Sequence, residues 1–96
     1  MTNDQIKKSL KNIGKGCFVQ HYELFASNEK SQDEKIKILV DAHGYAEKSC
    51  AARIIKAQYI IKDGFGPQAL LMISKAEVNI KISNTAQELL KKYPVK

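Results

Sequence analysis

Residues 31–62 read SQDEKIKILVDAHGYAEKSCAARIIKAQYIIK, and the organisation of the chain follows from this stretch. Ser31 is followed three positions later by Glu34. That is the spacing of a capping box, in which the serine oxygen takes one free backbone N–H and the glutamate reaches back to another. From there Ile36, Leu39, Val40 and His43 recur at helical intervals and share a face. Gly44 stands where a helix would stop in a left-handed turn, and Tyr45-Ala46 is a short connection. A longer helix is then predicted over 47–62, with Cys50, Ile54, Ala57 and Ile61 in one stripe and Ile55 and Tyr59 in a second apolar strip.

Two helices, 33–43 and 47–62, joined by a glycine turn form a helix-turn-helix-like pair. In such a pair the first helix packs and the second offers one face to the major groove. Leu39, Val40, Tyr45 and Cys50 fall where packing residues are wanted. Two positions depart from the pattern. Val40 is larger than the residue usually found there, and Arg53 falls where the simplest register places a core residue.

On the amino-terminal side, Thr2 or Asn3 can cap a first helix with Ile6, Leu10 and Ile13 inward and Lys7, Lys8, Lys11 and Lys15 on another face. Gly14 and Gly16 are read as its end, and 17–26 as a second helix carrying Phe18, Tyr22 and Phe25. On the carboxy-terminal side, Phe65-Gly66-Pro67 is a turn. Pro67 can open a helix whose segment 69–73 is apolar all round. Val78, Ile80 and Ile82 alternate with Asn79 and Lys81, which predicts an extended segment over 74–83 that covers the core or pairs with a second copy. A last helix is capped by Ser83, Asn84 or Thr85 and ends before Pro94. The expected fold is an all-α, compact single domain over residues 1–96 with five to six helices.

Composition narrows the functional classes. Of 96 residues, 44% are hydrophobic, enough for one core and too many for a disordered tail. No apolar run approaches the ~18 residues of a membrane span, and no secretory signal opens the chain, so a cytoplasmic protein without membrane contact is expected. The net charge is +6, and fifteen of the sixteen basic residues are lysine. The charge is zoned: residues 1–16 set four lysines against one aspartate, whereas 17–34 set four carboxylates against one lysine. A basic surface favours phosphate-bearing or acidic partners.

Chemistry-bearing clusters are sparse. Cys17, Cys50, His21 and His43 are the right types for zinc, but the intervals match no standard site and both cysteines lie in apolar stripes. No metal, cofactor or catalytic set is expected, and the chain reads as a non-enzyme. Gly14-Lys15-Gly16 lacks the length, the Lys-Ser/Thr ending and the preceding strand of a phosphate loop.

The first functional expectation is therefore DNA binding. The helix at 47–62 would place Ser49, Arg53 and Lys56 toward bases, while Lys48 and Lys7, Lys8, Lys11 and Lys15 touch phosphates. Arg53 carries weight because it is the one arginine, and its planar fork can make two hydrogen bonds to a guanine edge. A homodimer would be needed if a short helix is to read sequence. The alternative is a protein–protein interaction module, such as a small inhibitor, antitoxin-like or mobile-element accessory protein, whose opposed charge zones meet a complementary partner.

Overall fold

The computed structural model describes residues 2–95. Among them are seven α-helices and no strand: α1 (Asn3–Ile13), α2 (Lys15–Gln20), α3 (Tyr22–Ala26), α4 (Gln32–His43), α5 (Glu47–Lys62), α6 (Gly66–Lys75) and α7 (Ile80–Lys92). The all-α reading holds, with more helices than the five or six expected.

The extra helices come from breaks that hydrophobic period alone does not reveal. Gly14 takes φ 92, a backbone state that disfavours any side chain, and α2 begins at the next residue. Gly16 therefore sits inside α2 rather than ending α1. A Cβ there would come within 3.1 Å of Ile82 Cδ1, so its absence lets α2 lie close against α7. The stretch 17–26 is also broken, at His21, which has φ −113 and ψ 20 and separates α2 from α3.

Both capping boxes are present. Thr2 Oγ1 accepts from Gln5 N while Gln5 accepts from Thr2 N, and Ser31 and Glu34 do the same at the start of α4. Gly44 closes α4 in the left-handed conformation (φ 70, ψ 18) with its N–H on Val40 O.

The extended segment expected over 74–83 is replaced by helix at both ends. α6 continues to Lys75, and α7 starts at Ile80 because the Asn79 side chain accepts from Lys81 N. The alternation of Val78, Ile80 and Ile82 is not an alternation of burial: Ile80 is 73% exposed, and Ile82 is half-buried against the core. Only the link 76–79 is non-helical.

α5 is the centre of the molecule and packs against α1, α3, α4 and α6, while α7 packs on α6 and on α2. The α5 core face is Cys50, Ile54, Ala57 and Ile60. These residues meet Ile6, Leu10 and Ile13 of α1, Phe18 and Phe25, Leu39, and Leu70 and Ile73 in one continuous cluster. The second apolar strip on α5 faces outward: Ile55 is 58% and Tyr59 60% exposed.

Two basic side chains close helix ends. Helix carboxy-termini carry unpaired carbonyls and partial negative charge, which a cation can satisfy. Lys35 is buried and donates from Nζ to Ser27 O at 2.7 Å, just beyond α3. Burial and the nearby Lys62 hold its ammonium below the ordinary lysine value. Arg53 performs the same service for α1.

Candidate functional site

The structure separates the residues proposed to act together. Arg53 does not face outward. Its Nη1 donates to Ile13 O at the end of α1, its Nε donates to Ser49 Oγ at 3.1 Å, and its guanidinium carbon lies 4.0 Å from the Tyr45 ring centroid. The interruption at Gly14 creates this arrangement. It leaves the Ile13 carbonyl without a helical donor, and the bare Gly14 backbone makes room for Nη1, which lies 3.4 Å from where a Cβ would stand. Ser49 and Arg53, both half-buried, are thus engaged with each other. On α5, Lys48 and Lys56 remain exposed beside Ile55 and Tyr59. The pair α4–α5 does carry a glycine turn, and α5 packs against four other helices while one flank, Lys48, Ile55, Lys56 and Tyr59, stays exposed.

The four lysines of the first helical region also divide. Lys8 lies beside Tyr59 and Asp63, on the α5 side of α1. Lys7, Lys11 and Lys15 stand on the opposite side, around an open groove of about 650 Å³ between α1, α2, α6 and α7. Leu10, Met72, Ala76 and Ile82 line its floor. No carboxylate lines it, and the one salt bridge among the described residues, Lys92 to Glu23 at 3.5 Å, lies elsewhere. Three ammonium groups therefore border an apolar depression with no counter-charge in its lining. Sequence reading found the lysines through their helical spacing but missed the groove, because Met72, Ala76 and Ile82 come from more than fifty residues away.

The thiols and imidazoles are placed differently from one another. Cys17 and Cys50 are free and buried, and burial pushes both thiols above their ordinary value, which keeps them protonated. His21 and His43, 22 positions apart, meet with Nε2 to Nε2 at 2.9 Å. Burial, and then the neighbouring His43, lower the pKa of His21. His43 in turn stacks on Tyr45, with ring centroids 4.9 Å apart and planes at 15°. Among the described residues no group of three or more His, Cys, Asp or Glu is gathered as a metal site.

Compared with known proteins, the chain matches no family model, no curated protein and no solved structure.

Proposed function

We propose that this protein is a protein–protein interaction module that seats an acidic, amphipathic segment of a partner in the groove between α1, α2, α6 and α7. The observation that carries this reading is the bordering of Leu10, Met72, Ala76 and Ile82 by Lys7, Lys11 and Lys15, with no acid in the lining.

The two halves of the site ask for different chemistry. Lysine ammonium groups are hydrated point charges that accept any anion without strict geometry, so they steer and hold more than they specify. The apolar floor gains only from a partner that brings apolar surface, at roughly 25 cal/mol for each Å² removed from water. A nucleic-acid backbone answers the charges and leaves the floor in contact with sugar and water. A peptide with carboxylates flanking one or two apolar side chains answers both.

DNA reading by α5 is supported by less. With Arg53 and Ser49 turned to Ile13 and to each other, Lys48 and Lys56 are the polar groups of that proposal left exposed, and they flank an apolar strip. Backbone amide mapping by NMR separates the two. An acidic amphipathic peptide should shift residues around Lys7, Lys11, Met72 and Ile82. Shifts on α5 at Lys48 and Lys56 on adding duplex DNA, with none in the groove on adding peptide, would reverse the assignment.

A further inference from the structure

We infer that His21 and His43 form a two-histidine chelate for an imidazole-preferring first-row transition-metal ion such as Ni²⁺ or Cu²⁺. The pair lies outside the groove and does not depend on how the groove is used.

Two ring nitrogens from separate parts of the chain converge at a partly exposed point. Two nitrogens bound to one ion at about 2.0–2.1 Å stand about 2.8–3.0 Å apart when their bonds meet at a right angle, and about 3.3–3.4 Å apart at the tetrahedral angle. The observed Nε2 to Nε2 separation is 2.9 Å. That is also the length of an ordinary N–H···N hydrogen bond, so the two nitrogens already stand within the reach of one ion and the final edge is set when the rings turn on binding. The ring centroids are 5.0 Å apart with planes at 84°, and each imidazole must turn from the hydrogen bond to direct its nitrogen lone pair at a shared ion. In the metal-free protein one ring donates to the other. On binding, the ion takes the place of that shared proton, and the former donor ring carries its proton on Nδ1 instead, so both imidazoles ligate as neutral groups.

The two imidazoles are held in position by independent parts of the fold. His21 occupies the break between α2 and α3, with its N–H on Cys17 O at 3.1 Å. His43 is the last residue of α4 and is fixed by the Gly44 turn. Each ring is braced on its outer side, His21 by the edge of Phe25 at 6.2 Å and His43 by the face of Tyr45. Such bracing limits the reorganisation that binding requires. Both histidines are partly exposed, so water can complete the coordination. With two protein ligands, both half-buried, the site is open and weak rather than a buried structural one.

The test is a titration of the untagged, full-length protein with NiCl₂ at pH 7.5, read by calorimetry. The native chain should bind one ion with micromolar affinity, and His21→Gln and His43→Gln should each weaken binding at least tenfold, since either leaves a single imidazole. A second readout needs no variant: paramagnetic Ni²⁺ should broaden the ring resonances of His21 and His43 before any others. Absence of binding at micromolar Ni²⁺, native affinity retained by either variant, or broadening centred elsewhere would each overturn the site and leave a plain N–H···N hydrogen bond.

Discussion

The guanidinium of Arg53 lies over the ring of Tyr45, 4.0 Å from its centroid, while its Nη1 holds the carbonyl of Ile13 at the end of α1. One side chain thus ties three elements: α1, the α4–α5 turn and α5. The single arginine of the chain is where it is because the fork geometry is needed twice over. A lysine could reach the carbonyl or the ring but could not hydrogen-bond Ser49 and Ile13 while lying flat on Tyr45.

Arg53→Ala should therefore act on stability. A hydrogen bond from a charged donor contributes about 1.5–3 kcal/mol and a partly desolvated cation–π contact about 0.5–2 kcal/mol. A loss of about 2–4 kcal/mol is expected in urea denaturation, with Arg53→Lys falling between. A change below about 0.5 kcal/mol, the range of ordinary surface positions, would show that the side chain is idle.

Gly66 opens α6 directly beneath Tyr22. A Cβ there would collide with the Tyr22 hydroxyl oxygen and stand 3.2 Å from its Cζ. Tyr22 is 3% exposed and packed edge-on to Phe18 and against Tyr93, so the ring has little room to give. Gly66→Ala should cost about 1–3 kcal/mol through overpacking, despite adding a residue of higher helix propensity. Thermal unfolding of Gly66→Ala and Tyr22→Phe/Gly66→Ala checks the mechanism, because removing the hydroxyl should restore much of the loss.

The histidine pair predicts an acid limb in stability. His21 has a folded pKa below its ordinary value of 6.5, from burial and from His43 opposite it. In the interval between the two values the unfolded chain binds more protons, so stability rises with pH there. The contribution is complete above about pH 6.5 and is lost as pH falls through the lowered value. Denaturation midpoints should be level from pH 8 to 7 and decline below 6.5, and His21→Gln should flatten that part of the decline. A native profile that is flat down to pH 5 contradicts the assignment.

Local signals in the chain were sufficient wherever the cause was local. The Ser31–Glu34 box, the Gly44 stop and the bounds of the 47–62 helix all depend on residues within a few positions, and each is found as read. The readings that changed depend on distant partners. The place of Arg53 at the end of α1 depends on the Ile13 carbonyl, 40 positions away. The alternation at Val78, Ile80 and Ile82 resembles a strand because period-two and helical spacing overlap over five residues, and the Asn79 cap settles it toward helix. The lysines of α1 were visible, but which of them stand beside an apolar floor depends on where α6 and α7 return.

The groove reading meets its most direct test in a fluorescence-anisotropy titration of the native protein and of Lys7→Glu/Lys11→Glu/Lys15→Glu. The probe is a labelled acidic amphipathic peptide, with a labelled duplex of similar charge in parallel. Lys7 and Lys11 are exposed and Lys15 half-exposed, so the variant should fold as the native chain does. The account predicts saturable peptide binding by the native protein, weakened at least tenfold by charge reversal and several-fold by Met72→Gln. Duplex binding that survives the triple reversal, with no saturable peptide binding by the native chain, would contradict it.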